Sequence, residues 1–111
     1  MANKSKELGT RWESEVAKYL RSKGFDVWRM AQTGTEDQGD LGGLRQVAFE
    51  CRNRAKISLA ENVDDAESRA KCKDSDYGVA VIKRRGRSTK EGYVAMTLET
   101  FARLITEAGL E

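Results

Sequence analysis

The sequence contains no histidine and no proline, only two cysteines, and no apolar run near the length of a membrane span. Each absence narrows the chemistry. Without histidine there is no Ser-His-Asp or Cys-His nucleophile, no His-ligated zinc and no histidine-dependent nuclease motif. Cys51 and Cys72 are too few for a four-thiolate zinc site. They do not form the disulfide framework of a small secreted domain either, which points to a reducing, intracellular setting. A transmembrane helix needs roughly 18 or more apolar residues, and none is found. The opening MANKSKELG carries charge without the apolar stretch of a signal peptide. A soluble, cytoplasmic protein is therefore expected. At 111 residues the chain suits one domain, residues 1–111, with a flexible N-terminus over about residues 1–6. Any acid–base or metal chemistry must rest on carboxylates, lysine and arginine.

What is present is charge of both signs. Twenty Lys and Arg against eighteen Asp and Glu give a net +2. That small sum conceals an asymmetry. Lys83, Arg84, Arg85, Arg87 and Lys90 place +5 in one turn with no acid, which leaves −3 on the remainder. A charge run is usually a solvated loop. If it has a partner, five cations without aromatic interleaving suit a phosphate backbone better than base edges.

The ten glycines supply the punctuation. Leu8, Trp12, Val16, Tyr19 and Leu20 recur at helical spacing up to Lys23, and Gly24 follows as a helix stop. Phe25 to Met30 reads as a first strand, and a short strand is expected near Asp40 and Leu41 within a loop-like stretch. Gln46 to Arg52 alternates cleanly. Val47, Phe49 and Cys51 share one face; Ala48, Glu50 and Arg52 share the other. Ser58 followed by Glu61 is a capping box for a second helix with Ile57, Ala60, Val63, Ala66 and Ala70 on one face. Tyr77 to Ile82 is nearly all apolar, as in a strand buried on both sides. Tyr93 to Leu98 gives a last strand and Leu98 to Ile105 a closing helix ending near Gly109. The order α-β-β-β-α-β-β-α predicts an α/β fold, a mixed central sheet flanked by helices.

Asp40, in a glycine-rich stretch, lies ten residues before Glu50. If the strand near Asp40 is the antiparallel neighbour of the Glu50 strand, the two carboxylates meet. Two carboxylates at one point do not both ionise easily. A hard divalent cation such as Mg²⁺ resolves the conflict and would stabilise charge on a phosphate under attack. Each residue also has a plainer role. Thr10 to Glu13 is itself a capping box, and Glu15 rivals Glu13 on the same helix. Asp40 fits a turn, and Asp37 is a rival ligand. Glu50 fits an exposed strand edge. Cys51 suits the core, Trp12 and Trp28 suit core or partner surface, and Cys72 has no assignable role.

Five segments together resemble the PD-(D/E)XK nuclease superfamily, in its branch of Holliday-junction-resolvase-like endonucleases of actinobacteria and their phages. They are Gly9-Thr10-Arg11-Trp12-Glu13, Gly24-Phe25, Gly39-Asp40-Leu41-Gly42-Gly43, Phe49-Glu50-Cys51-Arg52-Asn53 and Ile82-Lys83-Arg84-Arg85-Gly86. Val94 to Phe101 also fits, so the likeness runs from about Leu8 to Ile105. The resemblance implies a restriction-endonuclease-like core and a homodimeric, Mg²⁺- or Mn²⁺-dependent enzyme that cuts branched DNA in a bacterial or phage-infected cell. It implies that Asp40, Glu50 and the backbone carbonyl of Cys51 hold the metal and that Glu13 supports the metal or its water. Arg29 would contact DNA near the end of the first strand. Arg11, Lys56, Lys83, Arg84, Arg85, Arg87 and Lys90 complete the DNA-facing cations.

One position departs from the pattern. The family has Lys where this chain has Arg52. Arginine keeps the charge and grips phosphate with two bonds, but it does not serve as a general base. Arg52 then acts as an electrostatic stabiliser, or Lys56 or Lys83 replaces the missing ammonium, or the site is weakened. Retained activity is the expectation, because the carboxylates are intact. The alternatives are a nuclease for flaps, nicks or ends, and a non-catalytic DNA-binding module.

Overall fold

A computed structural model describes residues 4–30 and 40–111 of the chain. Asp37 and Gly39, both named above, lie outside the described residues. Along the chain run α1 (Lys4–Ser22), β1 (Trp28–Arg29), β2 (Leu41–Gly42), β3 (Val47–Arg52), α2 (Leu59–Lys73), β4 (Tyr77–Ile82), β5 (Tyr93–Ala95) and α3 (Leu98–Ala108), with a 3-10 turn at Thr89–Glu91. This is the α/β order expected from the sequence. The larger sheet is mixed: β3 runs parallel to β4, and β4 antiparallel to β5. The expected single central sheet is instead two ladders, because β1 and β2 pair only with each other, over two residues each.

The alternation in β3 decides what packs where. Phe49 and Cys51 join Val79 and Val81 beneath α1, with Trp12, Val16, Ala17, Val27 and Leu41 completing that core. Trp12 is 1% exposed, and its indole N–H donates to the Val81 carbonyl at 2.9 Å, fixing α1 on β4. Trp28, by contrast, is on the surface. On the opposite face Ala66 of α2 packs with Ala80 and Ile82. All six residues of β4 are buried, as its apolar sequence predicts. Cys51 is a small core residue, and Cys72 is exposed.

Two close approaches set the spacing of the layers. At Gly78 a Cβ would stand 2.4 Å from the Ala66 carbonyl oxygen, so α2 lies directly on the backbone of β4. At Gly43, where φ is +115°, a Cβ would meet the Asp26 carbonyl oxygen at 2.0 Å. Helix α3 docks through polar groups. Its N-cap Thr97 and the buried Thr100 both donate to Glu67 Oε1 of α2, at 3.0 and 3.1 Å.

Several boundaries differ from the sequence reading, each for a local reason. Helix α1 begins at Lys4, so residues 4–6 are helical and Thr10 is an interior position rather than a cap. The first strand shrinks to Trp28–Arg29, leaving Phe25 exposed while Val27 alone is fully buried. Ser58 is the N-cap of α2 as expected, but its side chain caps nothing, so no Ser58–Glu61 box forms. Ile57 and Ala60 are exposed; the buried face of α2 is Asn62, Ala66 and Ala70. The last strand stops at Ala95 because Thr97 turns the chain into α3.

The Gly78 contact yields a stability prediction. Replacing Gly78 with Ala forces α2 off the sheet and should cost about 1–3 kcal/mol, the usual range for overpacking a core. Urea unfolding followed by circular dichroism measures it; an unchanged midpoint would contradict the close approach.

Candidate functional site

Asp40 stands at the entrance to β2 and is tied on three sides. Its N–H donates to the Phe49 carbonyl at 2.9 Å, and its carbonyl accepts from Met30 N–H at 2.8 Å. Its carboxylate Oδ2 accepts from the Cys51 N–H at 2.7 Å. These bonds lock the β1–β2 hairpin against β3. They also bring the Asp40 carboxylate beside Glu50, ten residues on, as the strand reading anticipated.

Glu50 is 2% exposed, which rules out an exposed strand edge as its explanation. Its side chain turns toward α2. There Oε1 accepts from Arg52 Nη1, and Arg69 Nε lies 3.1 Å from Oε2. The Arg69 contact is an ion pair without hydrogen-bond geometry, so Oε2 is a buried oxygen with no hydrogen-bond donor. Burial, and then the Asp40 charge, push the Glu50 carboxyl up to about 7 against the pull of Arg52 and Arg69.

Arg52 is the hinge of the arrangement. Nη1 contacts both Glu50 Oε1 and, at 3.2 Å, the Cys51 carbonyl. Nη2 bonds Asp65 Oδ2 of α2 at 2.9 Å. Its guanidinium therefore bridges two of the groups expected to hold a metal.

A cleft of about 630 Å³ opens beside this cluster. Glu13, Arg29, Asp40, Cys51, Arg52 and Asn53 line it. Glu13 faces Arg29, with Oε1 3.4 Å from Nε. Burial raises the Glu13 carboxyl, opposed by the Arg29 charge. Its rival Glu15 points elsewhere and pairs with Lys83 at 3.4 Å. So Glu13, Asp40, the Cys51 backbone and Arg52 share one cavity wall, while the Glu50 carboxylate lies on the α2 side of β3. Among the described residues no three acidic or thiol side chains converge as a ready-made metal cluster.

The basic turn is less open than its sequence suggests. Lys83 pairs with Glu15 and sits 4.9 Å from the Trp12 ring, and Arg84 stacks 5.0 Å from Tyr93. Arg87 pairs with Glu91 at 3.3 Å. Arg85 Nε donates to Asn53 Oδ1 at 2.9 Å, which draws that cation to the rim of the cleft. Arg11, Lys56 and Lys90 are exposed. Sequence reasoning assigned no role to Arg54, Asp65 or Arg69. Arg54 continues the strand alternation of Glu50 and Arg52, and Asp65 and Arg69 are four apart on α2, a spacing that puts them on one face. Those two signals were present in the chain.

No helix among the described residues is long and apolar enough to cross a membrane. No protein family model and no curated protein matches the chain.

The raised Glu50 carboxyl has a worked sign. Its ordinary value is 4.5 and its folded value about 7, so the folded chain holds a proton that the unfolded chain releases between them. The stability it contributes is complete below 4.5 and is lost as pH climbs to 7. The loss is at most on the order of 3 kcal/mol, less once screening is allowed for. Asp40→Asn removes a like charge and should lower the Glu50 midpoint, read from carboxyl ¹³C shifts. A midpoint that stays near 7 would separate the two residues electrostatically.

Proposed function

We propose that this chain is a metal-dependent, structure-selective DNA endonuclease that hydrolyses phosphodiesters of branched DNA, with Holliday junctions as the first substrate. The observation that carries this reading is the meeting of Asp40 and Glu50 at the Cys51 backbone, beside a cleft that also holds Glu13 and Arg29. A buried carboxyl raised toward neutrality by a second carboxylate is the electrostatic mark of a site made for a cation. The resemblance of the sequence segments to PD-(D/E)XK nucleases falls on the same residues.

The donor set fits a hard divalent ion. Asp40, Glu50, the Cys51 carbonyl and Glu13 offer only oxygen, and Mg²⁺ takes one or two carboxylates with waters and phosphate. Glu50 Oε2, buried without a hydrogen bond, is an acceptor in want of a cation. When bound, Mg²⁺ or Mn²⁺ supplies Lewis-acid stabilisation of charge on the phosphate and acidifies a water.

The chain's own residues do the rest. Glu13, half-buried with a raised carboxyl, is suited to take the proton of an attacking water on its carboxylate oxygen. Arg29 at the cleft mouth orients a phosphate. Arg52, held to Asp65 through Nη2, offers its fork to the same phosphate once Nη1 leaves Glu50. A symmetric homodimer belongs to this reading, because a four-way junction has two-fold symmetry. Tyr93 and Val94 on the edge strand β5, with Leu98 and Phe101 on α3, expose apolar area on the order of 400 Å² that a second copy would cover.

One observation favours a second reading, a DNA-binding module without catalysis. Arg52 Nη1 bridges Glu50 Oε1 and the Cys51 carbonyl, the very groups a metal needs. Cleavage separates the two. Labelled four-way junctions, flaps, nicked and intact duplex are incubated with Mg²⁺, Mn²⁺ or EDTA. Cutting of the junction with either metal and none in EDTA is expected. Asp40→Asn and Glu50→Gln should each reduce cutting by about a hundredfold or more while binding persists. Binding without cutting under either metal would leave the module reading.

Arg52→Lys tests the bridge itself. A lysine reaches Glu50 without spanning to the Cys51 carbonyl and Asp65 together. Mn²⁺ affinity, followed by electron paramagnetic resonance, should rise several-fold, with cutting preserved or raised. Loss of cutting to background would instead assign Arg52 a task that needs its fork.

A further inference from the structure

Beyond Arg52 a second, smaller cleft of about 330 Å³ opens at the start of α2. Arg52, Arg54, Lys56, Ser58, Glu61 and Asn62 line it. Arg52 stands in the wall between this cleft and the larger one.

Three independent observations meet here. The first is the open end of a fifteen-residue helix. The first helical bond is Asn62 N–H to the Ser58 carbonyl at 2.9 Å, so the amides of Leu59, Ala60 and Glu61 have no acceptor within the helix. Ser58 does not supply one, since its side chain makes no capping bond. The helix dipole adds its partial positive charge. The second observation is Asn62. It is 5% exposed and lines the cleft, yet its side-chain amide makes no hydrogen bond among the described residues. A buried amide without a partner is costly unless something fills the site. The third is charge. Arg54 and Lys56 are exposed and have no ion-pair partner among the described residues, in contrast to the partnered cations of the 83–90 turn. Glu61 is the one acid in the lining, against three cations.

We infer that this cleft is a seat for a backbone phosphate of the bound nucleic acid, one step along the strand from the candidate cleavage site. The phosphate accepts from the free amides of the first turn of α2 and from the Asn62 side chain, and Arg54 and Lys56 neutralise it. The inference rests on the DNA-binding reading above. It adds a fixed second point of attachment, and two points set the direction in which a strand crosses Arg52.

Binding of fluorescent four-way junction is measured by anisotropy in Ca²⁺, from low to moderate salt, for the full chain and for Arg54→Ala/Lys56→Ala. Both positions are exposed, so the fold is spared. The double variant should bind about tenfold more weakly, and its salt slope should fall by about two, one for each lost phosphate contact. Glu61→Gln should bind several-fold more tightly. In parallel, inorganic phosphate should shift the amide resonances of Leu59, Ala60 and Glu61 and the Asn62 side-chain amide in the wild type and not in the double variant. Wild-type binding with unchanged affinity and slope in the double variant overturns this inference and leaves the nuclease reading standing. Failure of the wild type to bind any DNA overturns both.

Discussion

Asp40 is the point on which the site depends. Its N–H, its carbonyl and its carboxylate each hold a different segment: Phe49, Met30 and the Cys51 amide. Two short strands of two residues each would have little reason to stay against β3 on their own. The Asp40 bonds do what a continuous ladder does elsewhere, and the Cys51 bond does it with a charge-assisted contact. The same contact draws a negative charge to the edge of a buried glutamate. Structure and chemistry are therefore coupled in one residue: whatever holds the hairpin in place also sets the electrostatics of Glu50.

The protein carries that cost in a compact network. Glu50 is nearly inaccessible to solvent, yet it faces two guanidinium groups and one carboxylate. Buried charge of this kind is weak support for stability and is often replaceable by apolar groups at no loss. Its presence under a cleft is better explained by function than by folding. The ordering of α2 follows from it, since Asp65 and Arg69 reach across to Arg52 and Glu50. Helix and strand are joined by ions at one end and by the tight Ala66–Gly78 contact at the other.

Much of this was legible in the chain. The alternation of β3, the all-apolar β4 and the Leu8-Trp12-Val16 spacing carry strong periodic signals, and the element order follows from them. The ten-residue interval between Asp40 and Glu50 was enough to anticipate their meeting. What the chain concealed depends on non-local choices. Thr10 to Glu13 has the sequence of a cap, but Trp12 anchors to Val81 and Leu8 extends the same face, so the helix continues back to Lys4. Ser58 and Glu61 likewise have the sequence of a box that the backbone at Ser58 does not form. The turn from Lys83 to Lys90 read as five open cations, whereas Glu15, Glu91, Asn53 and the Tyr93 ring occupy four of them. Those partners lie in distant segments or beyond the end of the run, where a count of charges does not reach.

The Gly78 notch has a consequence for the length of α2. A helix seated on a strand backbone at one carbonyl is indexed there, like a key with a single tooth. Each residue of α-helix turns about 100°. Losing one residue between Ala66 and Arg69 would swing Arg69 away from Glu50 while leaving Asp65 and the helix start in register. Losing one between Leu59 and Asp65 would instead rotate the first turn and its three open amides away from Arg54 and Lys56. The spacing along α2 thus fixes two separate alignments, one toward the buried glutamate and one toward the second cleft, and neither can be re-tuned by side-chain substitution alone.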